Sequence, residues 1–231
     1  MNTESQPDEL GKPAAIVLDM DGLMFNTEDI YDTSGQELLS RRGFEFTLEL
    51  KRRMMGRTAH AAFSEMRNFL GLSESIEQLQ KESDEIWLRL LPDRIAKLQG
   101  LDWLLDTADG HGIPLAVATS SPSRLASRAL SHFELEKRFR HIVTGDMVSQ
   151  GKPHPEIYLT AAGRLGVDAE RMLVFEDSPV GSKAAVASGA RTVAVPGAHN
   201  DGEDYSHVWR VVEALDAPEI RELAGSWSFS R

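Results

Sequence analysis

Cysteine is absent from the 231-residue chain, which removes disulfide staples, thiolate zinc sites and thiol nucleophiles from consideration. A basic excess is missing too: 25 Lys and Arg stand against 36 Asp and Glu, a formal net charge of −11 at pH 7. Nucleic acids and anionic membranes are held by positive surfaces, so neither is an expected partner. A single phosphate in a locally positive pocket stays compatible with that charge. No apolar run approaches the ~20 residues of a membrane span, and Met1 to Gly11 is polar, without the apolar centre of a secretory signal. The expected setting is cytoplasmic, and the expected state a monomer. Repeats and low-complexity tracts are also lacking. A 41% hydrophobic and 26% charged composition excludes disordered and fibrous classes, and the length suits one domain carrying an insert.

What is present is a series of short, unbroken apolar runs. Ala14 to Leu18, Ile113 to Ala118, His141 to Thr144, Met172 to Phe175 and Thr192 to Val195 each suit a strand buried on both faces. Helical patterns fill the gaps at Leu125 to Phe133, Pro155 to Leu165 and Val180 to Ser188. Alternation of this kind predicts βαβ units in an α/β, doubly wound (Rossmann-like) parallel sheet. Residues 28–95 break the alternation with helical periodicity at Leu38, Leu39, Leu48, Leu50, Phe63, Met66 and Leu70. The expected division is therefore a core of residues 12–27 and 96–231, a small helical cap at 28–95 inserted after the first strand, and a loose arm at 1–11. Pro92 and Gly100 mark the return to the core. After an Asn-Asp-Gly-Glu-Asp loop, a last helix is expected around Trp209 to Leu215.

Chemistry-bearing residues cluster at the predicted carboxyl ends of the strands, where open α/β sheets place their sites. Asp19-Met20-Asp21-Gly22 offers a nucleophile and an acid/base, or two metal ligands. A solvated Asp-Gly turn is the plain alternative. A calcium loop fails, because the fifth, sixth and twelfth positions from Asp19 are Leu23, Met24 and Ile30. Thr119-Ser120-Ser121 supplies hydroxyls and N–H groups at a helix start, either as an anion site or as a simple N-cap. Lys152 precedes a helix that begins near Pro155, where the dipole disfavours a cation, so it should face an anion. His154 beside it carries no assigned role. Glu176 and Asp177 follow an apolar strand and suit Mg2+. Four converging carboxylates repel unless cations sit among them; Mg2+ and Lys152 would supply that charge, with a phosphate between.

Together, Asp19-Met20-Asp21-Gly22, Thr119-Ser120-Ser121, Gly151-Lys152-Pro153 and Glu176-Asp177-Ser178 closely resemble, in order and placement, the four motifs of the haloacid dehalogenase-like phosphohydrolases. The likeness spans about residues 14–197 and is greatest to the β-phosphoglucomutase-like and pseudouridine-5′-phosphatase-like subgroup. It implies Asp19 as nucleophile and Asp21 as general acid then base. Thr119, the Ser120 backbone and Lys152 would hold the phosphate. Mg2+ would be held by Asp19, the Asp21 backbone carbonyl and Asp177, with Glu176 as a ligand or support. Where the subgroup continues Asp-Thr/Ser-Glu, this chain has Asn26-Thr27-Glu28, one carboxylate fewer at the cap hinge. In Gly56-Arg57-Thr58, Arg57 occupies a position from which such caps reach the substrate.

The resemblance implies a Mg2+-dependent phosphomonoesterase for a small phosphorylated metabolite, a sugar phosphate or nucleotide, working through an aspartyl phosphate. Asp21 argues against the dehalogenases of the superfamily, which lack the second aspartate. Transport ATPases carry Asp-Lys-Thr instead, and phosphonate cleavage needs a cap lysine in a pattern that Lys51 and Lys81 do not show. A phosphosugar mutase is the alternative, although mutase-like members carry His and Trp where this chain reads Asp29-Ile30-Tyr31-Asp32-Thr33. A silent phospho-ligand sensor is the third reading.

Overall fold

The computed structural model describes residues 11–54, 57–200 and 202–227, so ten residues of the expected arm, and Gly56, lie outside the described residues. Strand β1 (Ala15–Leu18) is followed by four helices: α1 (Thr27–Ser40), α2 (Leu48–Met54), α3 (Ala59–Leu70) and α4 (Ile76–Arg94). Then come α5 (Leu101–Gly110), β2 (Leu115–Thr119), α6 (Ser123–His132), β3 (His141–Thr144), α7 (Glu156–Leu165) and β4 (Met172–Glu176). The chain ends with α8 (Pro179–Ala187), β5 (Arg191–Ala194), β6 (Arg210–Val211) and α9 (Pro218–Gly225). The six strands form one sheet in the order β3-β2-β1-β4-β5-β6, with every pair parallel. This is the doubly wound α/β architecture that the apolar runs predict.

Two apolar layers flank the sheet. Ile16, Leu18, Leu173, Phe175 and Val193 face one layer, with Leu104, Leu130 and Trp227. Val17, Ala116 and Val174 face the other, with Tyr158 and Ala184. Burial on both faces explains why β1, β2 and β4 read as unbroken apolar runs. The helical insert has its own small core of Leu38, Leu39, Leu50, Met66 and Ile86. Ile30, Trp87 and Leu91, from α1 and α4, instead join the layer under the sheet. The insert is therefore rooted in the main body through two helices while α2 and α3 stand beyond it.

The two connections to the insert run side by side. Leu98 N–H donates to Met24 O at 2.9 Å and Asn26 N–H to Ala96 O at 3.2 Å. The Asn26 side chain stitches them again, accepting from Ala96 N–H at 2.6 Å and donating to Arg94 O at 3.2 Å. An aspartate could accept but not donate there, so the asparagine that departs from the subgroup's pattern closes both bonds.

Pro92 lies in the last turn of α4, which runs to Arg94. One expectation is corrected. No helix spans Trp209 to Leu215. Trp209 N–H and Val212 N–H instead donate to Thr192 O and Ala194 O on β5, so this β-branched stretch extends the sheet edge as β6. The last helix begins later, at Pro218, a residue preset for a first turn. Helix α5, which no sequence pattern announced, opens at Gly100, whose φ of +84° and 2.4 Å approach of a built Cβ to Asp216 N require glycine.

Candidate active site

The sheet's carboxyl edge collects the motif residues because β1, β2 and β4 are neighbours running the same way. Asp19 leaves the end of β1 with its N–H on Phe175 O at 3.0 Å. Glu176 closes β4, and Asp177 follows it. Carboxylate oxygens of Asp19, Glu176 and Asp177 lie within 4.8 Å of one another, all buried. Two glycines make the crowding possible. A Cβ on Gly22 would stand 2.4 Å from Asp177 Oδ2, and one on Gly181 would stand 1.7 Å from Glu176 Oε1.

Lys152 enters this cluster from the loop before α7. Its Nζ donates to Asp19 Oδ1 at 2.5 Å, Glu176 Oε1 at 2.6 Å and Ala118 O at 3.0 Å. Burial pulls the ammonium's pKa down, but the Asp19 and Glu176 carboxylates outweigh it and hold the group well above its usual value, so it stays charged. Burial is also the largest influence on Asp19, pushing its carboxyl well above the usual range against the pull of Lys152, with Glu176 and Asp21 adding to the rise. Asp177 is raised by burial and then by Glu176, Asp19 and Glu28. One ammonium does not neutralise three crowded carboxylates. The donor set is all oxygen, which fits a hard divalent cation at this position.

Asp21 sits beside the cluster rather than in it. Its carboxylate accepts from Thr27 Oγ1 at 2.7 Å, Thr119 Oγ1 at 2.8 Å and Ser121 Oγ at 2.7 Å. Thr119 is thus turned to Asp21 and does not face open space, whereas Ser120 lines the cavity. That cavity, of about 230 Å³, lies between the sheet edge and the insert and is lined by Asp19, Asp21, Lys152 and Asp177 from one side and by α1 to α4 from the other. Arg57 lines it too, exposed, with its Nε on Arg53 O at 2.7 Å.

Several residues at the site were not legible as such. Tyr158, on α7, donates its hydroxyl to Glu176 Oε1 at 2.8 Å and lies with its ring 5.1 Å from Lys152 Nζ. Asn200 Nδ2 donates to Asp177 Oδ2 at 2.9 Å, and the Tyr205 hydroxyl donates to Asp177 O. Tyr31 pairs its hydroxyl with Ser121 Oγ at 2.7 Å. Glu28, raised by burial and then by Asp21, also faces the cavity. Lys51, set aside for want of a pattern, lines the cavity in an ion pair with Asp32 at 2.6 Å and reaches His199 Nδ1 at 3.2 Å. Only Glu28 sat next to a motif whose acid could have been suspected.

With this geometry in place, comparison with known proteins is informative. A family model for haloacid dehalogenase-like hydrolases matches residues 16–195. The phosphorylated carbohydrates phosphatase of Thermotoga maritima is 35% identical over 206 residues, covering 89% of this chain and 94% of that protein. The (DL)-glycerol-3-phosphatase 1 of Arabidopsis thaliana is 34% identical over 206 residues, 86% of this chain and 68% of that one. Among solved structures, CbbY of Rhodobacter sphaeroides in complex with phosphate superposes with a TM-score of 0.81 at 27% identity, covering 88% of this chain and 95% of that one. The chain belongs to the haloacid dehalogenase-like hydrolases and stands among that family's phosphatases.

Proposed function

We propose that the chain is a Mg2+-dependent phosphomonoesterase for a small phosphorylated metabolite, working through an aspartyl phosphate on Asp19. The observation that carries the reading is a buried carboxylate, Asp19, beside a permanently charged Lys152 and at the mouth of a cavity, with a second aspartate held separately. Asp19 attacks phosphorus, its oxygen forming the new P–O bond as the ester P–O bond breaks. Asp21, carrying a proton, gives it to the departing oxygen. Water then attacks the aspartyl phosphate, loses a proton to Asp21 and releases inorganic phosphate and free Asp19. Lys152, the Ser120 backbone and Thr119 hold the phosphate, Thr119 exchanging its Asp21 bond for a phosphate oxygen. A Mg2+ held by Asp19, Asp177, the Asp21 carbonyl and Glu176 would offset the charge of the phosphate as it meets the nucleophile. Residues 28–95 act as a cap that excludes water and contacts the leaving group, with Arg57 at its rim.

The names of the relatives support a phosphatase, and the missing His and Trp after the first motif speak against the mutase. The test is release of inorganic phosphate from a panel of phosphomonoesters with Mg2+ and with EDTA. Metal-dependent release is expected; equal release in EDTA, or none from any ester, contradicts the reading.

A further inference from the structure

The cavity wall contributed by the insert has its own polarity. Phe46, Met54, Phe63 and Met66 make it apolar, and α4 adds Ser83 and Asp84 to it. Ser83 is buried, and among the described residues neither its hydroxyl nor the Asp84 carboxylate forms a hydrogen bond or an ion pair. Burial raises the Asp84 carboxyl, and Arg124 acts on it through charge alone. Asp84 is half-buried, and a partly desolvated carboxylate without a partner gains from a group that donates to it. Of the cations on this wall, Lys51 is paired with Asp32 at 2.6 Å, and Arg57 stands at the exposed rim with its Nε donating to Arg53 O at 2.7 Å. Glu28 adds another buried acid.

We propose that Asp84, with Ser83 beside it, determines specificity by accepting a hydrogen bond from a hydroxyl or amino group of the leaving alcohol, and that it disfavours an alcohol carrying an anionic group at that position. The inference rests on the phosphomonoesterase reading. The carbon skeleton lies along Phe63 and Met66, its donor group turns to Asp84, and a carboxylate or second phosphate at the same place meets like charge in a poorly solvated pocket.

The test uses four esters with Mg2+: p-nitrophenyl phosphate, glycerol phosphate, phosphoethanolamine and phosphoglycolate. The last three leave as a neutral, a cationic and an anionic alcohol of similar size. Wild-type kcat/KM is expected to be at least about tenfold lower for phosphoglycolate than for glycerol phosphate, the order of one like-charge contact in a partly buried site. Asp84→Lys should reverse that ratio, and Asp84→Asn should narrow it while raising KM for phosphoethanolamine more than it lowers kcat. Because asparagine keeps the shape, the ratio is readable even if the lysine variant does not fold. Equal use of phosphoglycolate and glycerol phosphate by the wild type, or a ratio unmoved by either substitution, overturns the inference while turnover of p-nitrophenyl phosphate keeps the phosphatase reading. Absence of turnover on all four esters overturns both.

Discussion

Replacing Lys152 by methionine keeps most of the side-chain volume and removes the one cation that bridges Asp19 and Glu176. The lysine is 8% exposed, and its bonds at 2.5 and 2.6 Å are charge-assisted. Breaking a buried ion pair from one side costs ~3–5 kcal/mol because charge is left uncompensated. For a protein of this size that is a loss in Tm of roughly 10 °C. The loss has a pH signature. Without the ammonium, Asp19, already raised by burial, would lose the charge that pulls it down and hold its proton to still higher pH, and an acid raised by folding gives up its stability as pH rises. Melting measured in EDTA should therefore show a larger deficit at pH 8 than at pH 5. In the same variant, kcat/KM should drop by ~10²–10³, the range for one lost electrostatic contact to a transition state. An unchanged Tm at both pH values with kcat/KM within threefold of wild type would refute the reasoning.

The other expectations follow from the same cluster. Burial and mutual repulsion raise Asp19 and Asp177 above the usual carboxylate range, so the metal-free protein loses stability as pH rises, and added Mg2+ should raise Tm more at pH 8 than at pH 5; an equal rise at both counts against the cluster as the ion's site. Gly181→Ala should lower kcat/KM at least about tenfold although alanine favours a helix by ~1 kcal/mol, because the new Cβ would stand 1.7 Å from Glu176 Oε1; wild-type kinetics would show that Glu176 tolerates displacement. Tyr158→Phe removes the hydroxyl on Glu176 and should cost ~1–3 kcal/mol by chemical denaturation, the price of a buried acceptor losing a donor; a neutral result would mean that Glu176 is satisfied by Lys152 and by Ser178, whose N–H and hydroxyl each donate to Glu176 Oε2 at 3.1 Å.

Elements buried on both faces were the easiest to foresee. In β1 and β4 every position is apolar until the chain reaches the carboxylates, so strand and site announce each other. The stretch around Trp209 misled because its period is too short to separate helix from strand, and only the free edge of β5 decides it. At the site, Asp19, Lys152, Glu176 and Asp177 sit in sequence contexts that are chemically odd for a turn or helix start, and they come together. Tyr158, Asn200 and Tyr205 carry no such oddity. Tyr158 is one aromatic on an amphipathic helix, and Asn200 is the start of a polar loop; their contacts exist only once α7 and the chain after β5 are folded against β4. Asp84 was invisible for the same reason, being one acid among several on α4.

The central claim is that Asp19 itself takes the phosphoryl group, and trapping that adduct tests it most directly. Asp21→Asn leaves the nucleophile but removes the group that would activate water, while p-nitrophenol departs with little need of a proton. Mixing this variant with p-nitrophenyl phosphate and Mg2+, quenching in acid and weighing the intact protein should show a gain of one phosphoryl group, located on Asp19 by peptide sequencing and absent in Asp19→Asn. Release of p-nitrophenol with no adduct at any quench time, or an adduct on another residue, would contradict the account.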